Sequence, residues 1–361
     1  MSARTHPLPL WTRLAPFAGW LLLAGQYAGL GRAWQGLLLA GLLVGVLAAV
    51  HHAEVVAHRV GEPFGTLVLA GAITAIEVAL IVTLMLSGGS AASMLARDTL
   101  FATVMIILNG IVGLCLLAGG QRFGEQRFSL MGASAALSTL AAIVSLTLIL
   151  PNYTTTVSGP LYNPRQLAFV AVASVTLYAA FVFVQTVRHR DYFLPEIGEA
   201  NESLHAPPPS WRVALISLAC LIVGLGAVVL LAKAISPLIE SGVAAIGAPR
   251  ALVGVIIAVI VLLPEGLAAL RAARANRLQT SLNLALGSAL ASIGLSIPAV
   301  ALVSIARGWP LTLGIDAKST VLLLLSFLIA TLTLGNGRTT ILQGMVHLVL
   351  FATYLFLTVI P

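Results

Sequence analysis

The chain has 361 residues, 59% of them hydrophobic and only 9% charged, with a mean hydropathy of +1.03. Soluble domains carry about a quarter of their residues as charges, so this composition excludes a soluble globular fold and reads as an all-α polytopic membrane protein whose first partner is the lipid bilayer. The formal net charge of +7 does not mark a nucleic-acid binder, because the basic residues are scattered through short connections with no basic stripe interleaved with exposed aromatics.

A helix that crosses a bilayer needs about 20 mostly apolar residues. The opening stretch MSARTHPLPLWTRLAPFAGWLLLAG is basic and then apolar, lacks a small-residue cleavage site and runs straight into another apolar segment. It is therefore expected to be a retained first helix and not a signal peptide. Including it, the apolar runs predict eleven spans, near 13–30, 34–50, 65–87, 99–119, 131–151, 166–187, 212–232, 250–270, 281–305, 319–335 and 340–360. Cys115 and Cys220 fall inside these runs, which supports neither a disulfide framework nor a thiolate metal site. Alternate connections hold twelve and seven of the 19 Lys and Arg residues, the larger share on the side of the N-terminus. Cytoplasmic connections carry that excess, so the N-terminus is expected inside and, with an odd number of spans, the C-terminus outside.

The third span holds a single carboxylate, Glu77, in the run GAITAIEVALIV, with Gly71 and Thr74 just before it. A charge at the centre of a spanning helix costs about 2.5–3.5 kcal/mol on insertion scales, so such an acid must face a polar cavity or be protonated. After the sixth span comes the longest polar stretch, RHRDYFLPEIGEANESLHAPPPS, with four of the chain's twelve acids: Asp191, Glu196, Glu199 and Glu202. It reads either as a solvated linker or as an acidic regulatory segment that gathers cations. It divides the chain into a tail and first helix (1–33), a first half (34–187), the linker itself (188–211) and a second half (212–361).

The eighth span repeats the anomaly. Glu265, in VLLPEGLAALRAA, is the second acid well inside an apolar run, with Pro264 before it withdrawing one helix hydrogen bond. Each acid helix is followed by a charged connection and then by a helix with small and polar residues: Asn109 in the first half, and Asn283, Ser288, Ser292 and Ser296 in the second. Residues 288, 292 and 296 recur every four positions and share one helix face; such a stripe either lines a path or lets helices approach closely. Burial raises a carboxylic acid's pKa, so each Glu exchanges a proton readily unless a cation replaces it, and a carboxylate is a hard oxygen ligand for metal ions such as Ca²⁺. Because the third and eighth spans lie five apart, their helices run in opposite directions. Two five-span halves must therefore be inverted repeats, a recurrent plan for secondary transporters with a midplane site.

At these residues the chain resembles the cation/calcium exchanger superfamily, and within it the ChaA-type calcium/proton and sodium-potassium/proton antiporters. The segments carrying the likeness are HHAEVVAHRVGEPFGTLVL with IEVALI, LLPEGLAALRAARANRLQTSLNLALGSALASIGLSIP, and GRTTILQGMVHLVLFATYLF. The resemblance implies one extra N-terminal helix plus two inverted five-helix repeats in a bacterial inner membrane, exchanging cytosolic Ca²⁺, Na⁺ or K⁺ for external protons with no cofactor. It implies that Glu77 and Glu265 are the ion and proton ligands, that Asn109 is the polar partner of the first repeat, and that Gly287 and Ser288 are the Gly-Ser pair of the second. It also covers Glu54, Arg59 and Glu62, which read either as gating charges or as loop charges. Plant and fungal relatives flank each acid with Gly-Asn-Ala-type sequence, whereas here the neighbours are AITAIEV and LLPEG, which supply fewer amide oxygens for Ca²⁺.

Four histidines remain. His51, His52 and His58, with His347, are read either as a pH-sensing cluster at the cytoplasmic mouth or as solvated interfacial side chains. No G-x-x-x-x-G-K-[ST] and no H-E-x-x-H occurs, so neither nucleotide drive nor zinc-protease chemistry is supported. Against antiport stand two other readings, a passive cation channel and an intramembrane enzyme; the sequence leaves the oligomeric state open.

Overall fold

Backbone groups with no water to satisfy them must hydrogen-bond within their own segment, and over the described residues every run predicted as a span is helical. The structure is a computed structural model that describes residues 8–26, 31–61, 64–88, 94–194 and 208–360. The helices are α1 Leu10–Gln26, α2 Gly31–Val60, α3 Phe64–Gly88, α4 Leu95–Phe123, α5 Leu130–Tyr153, α6 Pro164–Arg188, α7 Trp211–Ala245, α8 Ala251–Arg274, α9 Leu278–Arg307, α10 Ala317–Leu334 and α11 Ile341–Val359. Among the described residues nine of these are long and apolar enough to cross a membrane; the apolar part Val68–Thr83 of α3 is shorter, as is the 17-residue α1. Several helices outrun the expected spans, since a hydropathy scan stops at charges and a helix does not. Nothing in HHAEVVAHRV breaks a helix, so α2 continues past 50 and ends only before Gly61, whose φ is +76°.

Two compact units are present, one built from Met1–Leu84 and His205–Gly247, the other from Met85–Leu204 and Ala248–Pro361. Packing thus groups helices from both sides of the linker, and these units are not the halves drawn along the sequence. In the first unit α1, α2 and α7 pack on one another. Glycines permit the approach: a Cβ on Gly19 would lie 3.0 Å from Ala227 Cβ, and one on Gly45 3.1 Å from Val228 Cγ2. Indole N–H groups cross-link the same helices, Trp20 donating to the Val223 carbonyl at 3.1 Å and Trp34 to that of Leu22 at 3.0 Å. The Arg59 guanidinium lies 4.5 Å above the Trp211 ring, a cation–π contact between the end of α2 and the start of α7.

In the second unit α4 is the most enclosed helix, with 89% of its apolar window buried against 22% for α6 and for α11. It packs on α8 and α11, while α9 contacts α4, α5, α6 and α8. Two connections meet at one end, where β1 (Glu125–Arg127) pairs antiparallel with β2 (Arg338–Thr340). Buried Gln126 ties this ribbon to the α8–α9 turn, donating to the Ala273 carbonyl at 3.1 Å and to Asn276 Oδ1 at 2.9 Å. Elsewhere the connections before α6 and α10 bridge at Leu161 and Thr312. The Tyr162 hydroxyl donates to the Leu146 carbonyl at 2.6 Å, and burial pushes this phenol up to about 12.

Candidate functional site

Glu77 lies on α3, in the first unit, and is only 4% exposed. Thr74, one turn earlier and on the same face, is equally buried, and Ile73, Ile76, Leu80 and Ile81 complete an apolar surround on the same helix.

Glu265 belongs to the second unit and is 7% exposed. Pro264 stands in the interior of α8 without breaking it; lacking an N–H, it leaves the Ile260 carbonyl without its usual helical donor. Across from it, on α9, the Ser288 hydroxyl makes a long hydrogen bond to Glu265 Oε1 at 3.5 Å. Ser292 and Ser296 follow at one-turn intervals and are buried, while Ser288 is half-buried. Gly266, next to the acid, lets α4 approach: a Cβ there would meet Ile111 Cδ1 at 3.3 Å.

Asn109 sits in a π-helical turn, Ile106–Ile111, within α4, and is fully buried. Turns of this kind insert one residue into the helix and occur frequently at functional sites. Its Nδ2 donates to Ser326 Oγ on α10 at 2.8 Å, and its Oδ1 is 3.2 Å from His347 Nδ1 on α11. His347 Nε2 is in turn 3.2 Å from Thr333 Oγ1. His347 is therefore not part of a cytoplasmic histidine cluster; it is a buried residue of the second unit. Sequence reading grouped it by residue type, and the pairing with Asn109 spans 238 positions.

Asn283 was expected among the site residues. Its Oδ1 accepts from Gln279 at 3.0 Å and its Nδ2 donates to the Phe193 carbonyl at 2.6 Å, so its amide ties α9 to the beginning of the linker. The remaining linker acids, Glu196, Glu199 and Glu202, lie outside the described residues, as does Glu62.

The other gating candidates lie on the last turns of α2. Glu54 and His58 are exposed, whereas His52 is fully buried and is not a solvated interfacial side chain. Its Nε2 donates to the Thr12 carbonyl at 2.9 Å, tying α2 to α1. A cavity of about 180 Å³ in the second unit is lined by Arg97, Asp98, Asp316, Lys318 and Tyr354 among others, and by none of the expected site residues. Its charges are largely satisfied locally: Arg97 pairs with Asp98 at 2.7 Å and Lys318 donates to the Leu357 carbonyl at 2.9 Å. Burial alone would push the Asp316 carboxyl up, but the Ser319 hydroxyl and amide, with the Lys318 and Arg97 charges, hold it below the usual carboxylate range.

Comparison with known proteins adds two kinds of finding. The profile of the family described as "Sodium/calcium exchanger protein" matches residues 33–187 and 216–360. The putative ionic transporter y4hA of Sinorhizobium fredii is 48% identical over 100% of this chain and 99% of its own. The sodium-potassium/proton antiporter ChaA of Escherichia coli is 35% identical over 88% of this chain and 87% of its own. Among solved structures, native YfkE superposes with a TM-score of 0.74 at 17% identity, covering 97% of this chain and 100% of that one, a likeness of fold.

Proposed function

The chain belongs to the sodium/calcium exchanger family, and from that premise we propose that it is a proton-coupled cation antiporter of the bacterial cytoplasmic membrane. Cytosolic Ca²⁺, or Na⁺ and K⁺, leaves in exchange for external protons by alternating access, with the N-terminus inside and the C-terminus outside. The observation that carries this reading is the pair of carboxylates, Glu77 and Glu265, each more than nine-tenths buried in an apolar helix. A group in that setting holds either a proton or a cation, since the bare charge is expensive. One group with two competing occupants is the minimal device for coupling. Thr74 beside Glu77, and Ser288 and Ser292 on the face toward Glu265, supply neutral oxygens, and Asn109 supplies an amide. The name of the relative ChaA supports Na⁺ and K⁺ as cargo.

The two separately matched stretches, 33–187 and 216–360, support the division into two five-helix repeats after one extra helix. In that scheme α2 and α7 open the two repeats, and in the first unit they pack against each other with α1. His52, Glu54 and His58, on the last turns of α2, and Glu62, which follows that helix in the sequence, act on access rather than on binding.

The test is transport by purified protein in liposomes under an imposed proton gradient, following internal pH as Ca²⁺, Na⁺ or K⁺ is added singly. Cation-dependent proton movement that vanishes in both Glu77→Gln and Glu265→Gln is the expected result. Because protons compete with the cation, the rate should rise toward alkaline pH. Current carried without any opposing proton gradient would instead mark a channel, and the proposal would fall.

A further inference from the structure

The polar chain through Asn109 has a direction that can be read from one end. The Ser326 hydroxyl donates its only hydrogen to the Leu322 carbonyl at 2.7 Å, so toward Asn109 it can only accept. The group 2.8 Å away must then be the Asn109 amide N–H, which turns the Asn109 carbonyl oxygen toward His347. His347 Nδ1 must therefore carry a hydrogen and donate it, and in the neutral ring Nε2 is bare and accepts from the Thr333 hydroxyl. Each member is at most 6% exposed. The contact exists because α4 and α11 approach closely: a Cβ on Gly113 would lie 3.0 Å from His347 Cβ.

We propose that His347 is a positioning residue for cation exchange: it fixes the Asn109 amide in the π-turn of α4, and through that turn the seating of Ile111 against Gly266 beside Glu265. The proposal rests on the antiport reading and on Asn109 belonging to its site. The π-turn is held on one side by side chains of α10 and α11 and bears on the other against the helix of the acid. Releasing the amide frees it to turn over and lets the turn shift, so cation binding weakens while the machinery for moving the helices is intact.

The experiment is transport in liposomes by His347→Leu, His347→Asn, Thr333→Val and Asn109→Ala, with the Asn109→Ala/His347→Leu double variant. Loss of one buried neutral hydrogen bond corresponds to about a five- to tenfold change. His347→Leu should raise the half-saturating cation concentration by that factor while the maximum rate per folded protein holds. His347→Asn, whose amide nitrogen falls near the place of Nδ1, should restore it to within about twofold. Thr333→Val, which removes only the group that fixes the ring, should give a smaller rise in the same direction. The double variant should be no worse than the poorer single one, since coupled sites are not additive. A half-saturating concentration unchanged in both His347→Leu and Thr333→Val would overturn the proposal, as would full additivity in the double variant. A purely structural role would lower the maximum rate with the amount of folded protein and leave half-saturation in place. If the unaltered protein moves no protons with any cation, the antiport reading fails instead, before His347 is in question.

Discussion

Asn283→Ala separates two roles for one residue that the sequence places in the cation path and the structure ties to the linker. The side chain makes two hydrogen bonds, Nδ2 to the Phe193 carbonyl at 2.6 Å and Oδ1 from Gln279 Nε2 at 3.0 Å. Each is worth about 1 kcal/mol net. Gln279 keeps its long bond to the Tyr192 carbonyl at 3.4 Å, and its Oε1 still accepts from the Ser129 amide at 2.6 Å, so α9 is not wholly released. The loss is then about 2 kcal/mol, and at roughly 1–1.5 °C per kcal/mol for a chain of this size the midpoint should fall by about 2–3 °C. Thermal unfolding of the detergent-purified protein, followed by tryptophan fluorescence, reads that shift. Transport in liposomes should show an unchanged half-saturating cation concentration. An unaltered melting midpoint together with a severalfold weaker cation dependence would refute the reasoning and return Asn283 to the binding site.

Asp316 accepts from the Ser319 amide at 2.7 Å as the N-cap of α10, so Asp316→Ala should cost about 1 kcal/mol in thermal unfolding. Its pKa is depressed in the folded state, so this contribution is present above the ordinary carboxylate range and is lost as pH falls through the lower folded value. A melting midpoint for Asp316→Ala equal to that of the parent at neutral pH would contradict the assignment. Tyr162→Phe should lose about 1 kcal/mol through its bond to the Leu146 carbonyl and remove one phenol that titrates only near pH 12; phenolate absorbance that is the same in both proteins would count against it. Gly45→Leu should disrupt the packing of α2 on α7 at Val228 by about 1–3 kcal/mol, measured as a drop in melting midpoint, and an unchanged midpoint would show that this interface has room to spare.

The helices and the acids were legible in the sequence because each leaves a local mark. An uninterrupted apolar run has one low-energy solution in hydrocarbon, so over the described residues every predicted span is helical, and a carboxylate in such a run stands out without any partner being known. Glu77 and Glu265 lie on the third and eighth helices, and Ser292 and Ser296 are buried one and two turns beyond the half-buried Ser288. What stayed hidden depends on pairs distant in sequence. His347 meets Asn109 across 238 positions and Asn283 meets Phe193 across 90, and neither contact leaves a periodic trace. The π-turn at Ile106–Ile111 is equally silent, because IILNGI has no residue that demands it; the turn is held from outside, by a histidine and a serine on two other helices.

That asymmetry bears on how such a site is read. A buried acid announces itself by its cost, whereas a buried amide or imidazole is cheap once satisfied and is recognised only through its partner. Residue type alone put His347 with His51, His52 and His58, yet the physical criterion is which donor completes which acceptor. Applied to the second unit, that criterion separates two amides that looked alike in the sequence: Asn283 is engaged with the linker, and Asn109 is engaged with Ser326 and His347 in the π-turn whose Ile111 packs beside Gly266. The first should govern stability and the second cation affinity, so the ratio of the two effects, measured in the same pair of alanine variants, tests the division directly.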